Sequence, residues 1–164
     1  MDLYFLRHGE AEPAFSDDSV LTSTGIESVK KIAFAIKALE IRFDQILCSN
    51  LPRARETATI IQEVLHTTIE IGSCSPLTPP GNCDDLIQLL KDTHKSSVLL
   101  VGHEPLISRT ISRLISGDEQ SFITIKKGSL AKVFIAEYTR HIRGSLEWIL
   151  PPIVLAKIIG SLKQ

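Results

Sequence analysis

Three features of this 164-residue sequence predict a three-layer α/β fold, with a mostly parallel sheet flanked by helices. Short apolar runs alternate with stretches of helical periodicity, the order produced when each strand returns to the sheet through a covering helix. Two of those runs, in "DLYFLRHG" and "SSVLLVGH", deliver a histidine where the strand stops. The last two extended runs follow one another with no helix between them, so the sheet is expected to end in an antiparallel hairpin.

The elements follow in order. "DLYFL" is a buried strand with two aromatics, and after the loop "RHGEAEPAFSDDSV" the pair Thr24 and Glu27 makes a capping box ahead of the helix "IESVKKIAFAIKAL". "FDQILC" is the second strand. "SNLPRARETATIIQEVL" is the second helix, because Pro52 suits a first helical turn and Ile60, Ile61, Val64 and Leu65 recur at helical spacing. A short strand "TIEIG" precedes the turn-rich "SCSPLTPPGNC" and the helix "DDLIQLLKDTH". "SSVLLVGHEP" repeats the opening plan, and Pro105 begins the helix "LISRTISRLIS". "SLAKVFIAEY" and "SLEWIL" form the hairpin through "TRHIRG", and a short amphipathic helix begins at Pro151.

One domain over residues 1–164 fits this length, which suffices to bury a core without staples. With 43% hydrophobic and 23% charged residues the chain lies outside the disordered class. A net charge of −1 supplies no global field for nucleic acid or anionic membrane, so an anion site has to be local. Cys48, Cys74 and Cys83 form no CxxC pair, and their odd number with no secretory leader points to reduced thiols in the cytoplasm. "LPPIVLAKIIG" is too short to span a bilayer and contains Lys157. A monomer with no cofactor and no metal is expected.

In open α/β sheets ligands bind beyond the carboxyl ends of the strands. That rule gathers Arg7 and His8, the helix start carrying Arg53, and His103 on one rim. Two imidazoles and two guanidiniums at helix starts suit the holding and attack of a phosphoryl group. Arginine offers a permanently charged fork of donors matched to phosphate oxygens, and a neutral imidazole flanked by cations stays unprotonated and nucleophilic. A second imidazole, if protonated, adds a donor to the transferring group. Gly9 is expected to turn the backbone sharply and bring amides to the anion.

These residues carry a resemblance. "LRHGE" resembles the defining motif of the histidine phosphatase superfamily, "SNLPRARETA" is similar to its second motif and "LLVGHEPLIS" to its third. "LTSTG" is similar to the Leu-Thr-x-x-Gly element that precedes the first helix. The minimal length with no inserted cap resembles the SixA-like branch of small bacterial phosphohistidine phosphatases. The resemblance implies a phosphoglycerate mutase-like fold in which His8 is the transiently phosphorylated nucleophile, Arg7 and Arg53 clamp the phosphate and His103 assists from the far side. Arg55 is not the motif arginine and is expected at the solvent or the pocket rim.

What the resemblance implies functionally is a metal-independent phosphatase working through a covalent phosphohistidine intermediate, with phosphohistidine in a signalling protein as its substrate. Two alternatives stand beside it: a metabolic phosphatase or mutase on a small phosphorylated metabolite, and a noncatalytic phosphate-binding module. The chain departs from many superfamily members at Thr78, where they carry a glutamate proton donor. An imidazole leaves more easily than an alkoxide, so a weak demand for acid catalysis is expected, with Glu10 as first candidate donor beside the nucleophile and Asp17, Asp18 and Asp84 behind it. His66, His94 and His141 read as solvated, Cys48 as a small buried hydrophobe, and Trp148 with "LPPIVL" as core and sheet cover. Lys126, Lys127, Lys132, Arg140 and Arg143 read as a solvated hairpin face, or as a docking patch for an acidic phosphoprotein.

Overall fold

The computed structural model describes residues 1–13, 18–120, 123–137 and 142–161. The chain runs β1 (Asp2–Arg7), α1 (Ser23–Ala38), β2 (Gln45–Cys48), α2 (Pro52–Leu65), β3 (Ile71–Ser73), a 3₁₀ turn (Ser75–Leu77), α3 (Cys83–Lys91), β4 (Ser97–Gly102), α4 (Leu106–Ser116), β5 (Leu130–Glu137), β6 (Arg143–Leu150) and α5 (Pro152–Ser161). The strands form one sheet in the order β3-β2-β4-β1-β5-β6. β1, β2, β3 and β4 are parallel, whereas β5 runs antiparallel to β1 and pairs with β6 as the expected hairpin.

Alternate residues of each strand divide between two cores, as the period of an extended chain requires. Leu3, Phe5, Leu47, Val98 and Leu100 pack with Leu86 and Leu90 of α3 and Ile107, Ile111 and Leu114 of α4. On the opposite face Tyr4, Leu6, Ile46, Leu99 and Val101 pack with Val29, Ile32 and Ile36 of α1, Ala54, Ala58 and Ile61 of α2, and Leu155 of α5. β1 and β4 are therefore covered on both sides, which explains why they read as unbroken apolar runs. In register, Arg7 lies opposite Gly102 and Cys48 opposite Val101, so the carboxyl ends of the three central parallel strands share one rim.

Several local expectations are corrected. The cap of α1 is Thr22, not Thr24: its hydroxyl accepts from the Gly25 amide at 3.0 Å, which starts the helix at Ser23 and leaves Glu27 outside the capping geometry. Phe43 lies outside β2, stacked edge-on to Tyr4 with ring centroids 5.3 Å apart. In α5 Leu155 is buried, but Ile153 is 67% exposed and Val154 38%, so part of "LPPIVL" faces outward. Lys132 belongs to no solvated face; its ammonium lies 3.0 Å from both Asp2 Oδ2 and Glu147 Oε2. Arg140 and His141 lie outside the described residues. Among the described residues no helix is long and apolar enough to cross a membrane.

Candidate active site

The site is built where β1, β2 and β4 stop. β1 ends at Arg7, and the His8 amide then donates to the Gly102 carbonyl at 3.1 Å, which ties the start of one loop to the end of the neighbouring strand. β2 ends at Cys48; Ser49 follows, and its hydroxyl accepts from the Leu51 amide at 3.2 Å just ahead of α2. Pro52 opens α2 and Arg53 sits in its first turn, 9% exposed. His103 follows β4 and is 2% exposed.

The two imidazoles face each other with centroids 4.8 Å apart and planes at 50°. His8 Nδ1 lies 2.7 Å from the Gly9 carbonyl oxygen, a contact that is a hydrogen bond only when Nδ1 carries the proton. The neutral ring therefore keeps its lone pair on Nε2. His103 Nε2 is 2.9 Å from the Ser49 hydroxyl. Arg7 Nη1 donates to the Ile125 carbonyl at 2.8 Å, and Arg53 Nη1 donates to Ser19 Oγ at 3.1 Å.

Electrostatics converge on the same four side chains. Burial pushes His8 down to about 4, aided by the charges of Arg53, Arg7 and Lys127 and opposed only by the Gly9 carbonyl. Burial likewise pushes His103 down to about 3, with His8, Arg53 and Arg7 adding to the shift. Both rings are neutral at pH 7. For His8 that is the state a nucleophile needs, and for His103 it replaces the protonated donor envisaged from the sequence.

Glycine at position 9 has a different use from the one expected. A Cβ there would stand 2.6 Å from Val29 Cγ2, and one at Gly25 would stand 2.0 Å from the Glu10 carbonyl oxygen. The two glycines let the loop after β1 lie directly on the first turn of α1. The Gly9 amide donates to Thr57 Oγ1, whose own hydroxyl donates to the Arg53 carbonyl at 2.7 Å, so the His8 loop is pinned to the turn carrying Arg53.

The candidate proton donors do not join this cluster. Glu10 is exposed and accepts from the Thr22 hydroxyl at 3.3 Å, toward the cap of α1. Asp18 is exposed, Asp84 is exposed and pairs with Arg113 at 3.5 Å, and Asp17 lies outside the described residues. Thr78 turns its hydroxyl onto the Ser75 carbonyl. Arg55 is exposed, as are His66 and His94.

Two residues were missed. The charge of exposed Lys127 acts on His8 because the turn Lys126–Ser129, with Gly128 at φ +73°, donates its Gly128 amide to the carbonyls of both Arg7 and His8. Glu104, which no sequence signal singles out, lies half-buried next to His103. Cys48, Cys74 and Cys83 are unpaired and buried, and among the described residues no cluster of three or more His, Cys, Asp or Glu could hold a metal. Cavities of about 570 and 670 Å³ lie at the other end of the sheet, beside Arg42 and Phe43 in one case and Asp2 and Ser97 in the other.

Against known proteins, the sequence profile of the histidine phosphatase superfamily (branch 1) matches residues 3–73. Phosphohistidine phosphatase SixA of Escherichia coli (strain K12) is 26% identical over 157 residues, covering 93% of this chain and 94% of that protein. A phosphohistidine phosphatase SixA homolog of Haemophilus influenzae is 30% identical over 128 residues, 70% of this chain and 77% of its own. A solved structure of the protein histidine phosphatase SixA complexed with tungstate superposes with a TM-score of 0.83 at 24% identity, covering 94% of this chain and 99% of that one. By motif order, fold and these relatives, the chain belongs to the histidine phosphatase superfamily, in its SixA-like branch.

Proposed function

We propose that this chain hydrolyses phosphohistidine on a protein through a phosphorylated His8. One observation carries the reading: His8 is buried and neutral, commits its Nδ1 proton to Gly9 and so presents an Nε2 lone pair within the field of Arg7 and Arg53. Nε2 attacks the phosphorus in line as the bond to the leaving group breaks; the Gly9 carbonyl holds the Nδ1 proton of the imidazolium that forms. Water then attacks phospho-His8 and the electron pair of the P–N bond returns to Nε2. Arg7 and Arg53 supply positive charge to the equatorial oxygens in both steps, with His103 on the far side.

The substrate class is supported by the names of the similar SixA proteins and by the absence of an acid at Thr78, which suits an imidazole leaving group. The three buried thiols fit a reducing compartment, which supports the cytoplasm as the proposed location. All site residues come from one chain, so a monomer suffices. Residues 1–164 are read as one domain.

The test is mass spectrometry of the acid-labile phosphoenzyme after mixing with a phosphohistidine protein. Wild type should carry one phosphoryl group on His8, and the His8→Ala variant none. A His8→Ala enzyme with full turnover would refute the reading.

A further inference from the structure

Ser49 is fully buried between the end of β2 and the start of α2. Its amide donates to the Val101 carbonyl at 3.0 Å, which ties it to β4 two residues ahead of His103. Its hydroxyl oxygen accepts from the Leu51 amide at 3.2 Å and lies 2.9 Å from His103 Nε2. A hydroxyl has one proton to give, and a buried one that finds no acceptor is costly. Among the described residues, the acceptor within reach of that proton is His103 Nε2.

Donation from Ser49 occupies the Nε2 lone pair and leaves the proton of the neutral ring on Nδ1, because the hydrogen bond made by one ring nitrogen sets the state of the other. Among the described residues Nδ1 of His103 has no hydrogen-bond partner, yet the side-chain polar atoms that are both buried and unpartnered are Arg7 Nε and Glu104 Oε1. The small accessible surface of His103 therefore includes Nδ1. The two imidazoles, with centroids 4.8 Å apart, thus carry their protons on the same nitrogen and keep opposite ends available. His8 commits its Nδ1–H to the Gly9 carbonyl and keeps the Nε2 lone pair. His103 commits its Nε2 lone pair to Ser49 and keeps Nδ1–H.

We infer that Ser49 is a positioning residue that holds neutral His103 as the Nδ1–H tautomer and so makes it a hydrogen-bond donor to the phosphoryl group. The inference rests on the phosphoryl-transfer reading above. A neutral ring with this tautomer can donate without first acquiring a charge, which its burial beside Arg7, Arg53 and His8 opposes. His103 keeps its proton throughout: the N–H bonds an oxygen of the transferring group more strongly as negative charge builds there, and no proton crosses. The assignment is therefore in keeping with the weak demand of a departing imidazole for an acid.

The experiment reads the tautomer directly, by long-range proton–nitrogen correlation NMR of the His103 ring at neutral pH in wild type, Ser49→Ala and Ser49→Thr. Wild type should show an unprotonated Nε2 and a protonated Nδ1, and Nδ1 should shift when tungstate binds. Ser49→Ala should mix the two tautomers, and Ser49→Thr, which keeps the hydroxyl, should restore the wild-type pattern. Turnover of para-nitrophenyl phosphate supplies the second arm. Ser49→Ala should lower kcat by about 10-fold, part of the 10²–10³-fold that loss of a donor costs, with KM held within about 2-fold. The same substitution made in His103→Ala should cost less than about 2-fold, because a residue acting through His103 then has nothing to position. A wild-type ring protonated at Nε2 would overturn the assignment. So would an equal loss from Ser49→Ala in both backgrounds, which would mean that Ser49 acts through Leu51 and α2. Absence of phospho-His8 in wild type would instead overturn the underlying reading, and with it the donor role, whichever tautomer the spectrum shows.

Discussion

Two cations of neighbouring strands, Arg7 on β1 and Lys132 on β5, are both largely withdrawn from water and are treated oppositely. Lys132 is met by two carboxylates, Asp2 and Glu147, and lies over the Tyr4 ring at 5.7 Å. Burial works against its charge, but the hydrogen bonds to Glu147 and Asp2 outweigh it and hold the ammonium above the usual lysine range. Arg7 makes no ion pair among the described residues; it donates to one backbone carbonyl and keeps Nε without a partner. The difference separates a charge that fastens the fold from one that, on the proposed reading, is kept for an anion, as native proteins leave few buried donors without partners.

The comparison is broken most severely by removing the proposed nucleophile beside Arg7. His8→Ala should lower kcat by on the order of 10⁴-fold or more, measured by phosphate release. Next, Arg7→Ala should lower kcat/KM by about 10²–10³-fold and weaken tungstate binding by calorimetry, as expected for a group that stabilises developing charge. Lys132→Met should leave kcat/KM within about 2-fold while lowering stability by about 1 kcal/mol, read by urea unfolding, because both partner carboxylates are partly exposed and the pair is screened. If Lys132→Met proved as damaging to turnover as Arg7→Ala, the distinction would fail.

The two histidines sharpen it through pH. Their folded pKa values, about 4 and about 3, lie below the ordinary value of 6.5. Between those limits the unfolded chain binds protons that the folded chain does not, so stability rises with pH from about 3 to about 6.5 and is lost as the pH falls through that window. The effect is on the order of a few kcal/mol, and a bound dianion should flatten it by favouring protonated imidazole. Thermal melts at pH 4.5 and 7, with and without tungstate, check the sign. The smallest effect belongs to Lys127→Ala: a few-fold rise in KM that shrinks with added salt, because this ammonium is exposed.

Legibility in the sequence followed locality. Arg7, His8, Arg53 and His103 were readable because each is tied to a strand end or a helix start, and a parallel sheet carries such ends to one rim. Thr22 and Thr24 offer the same side chain two positions apart, and the choice between them was made by Glu10, which contacts both the Thr22 hydroxyl and Gly25. Gly9 was recognised as necessary but for the wrong reason, since Val29 is distant in sequence and close in space. Glu104 was invisible for the same cause: its neighbours include Arg7, and a carboxyl's burial is a property of the assembled layers. The pairing of Lys132 likewise depends on β1 and β6 arriving on either side of β5.

The turn before β5 has a consequence for synthesis. Gly128 donates to the carbonyls of Arg7 and His8, Ser129 accepts from the Arg7 amide, and Ile125 accepts from the Arg7 guanidinium. A nascent polypeptide that has released its first seventy residues carries His8, Arg53 and the Thr57 link between them, yet lacks the turn that holds Arg7. Competence should arrive late in translation, once the ribosome has let go of position 129, and shorter products should be inert.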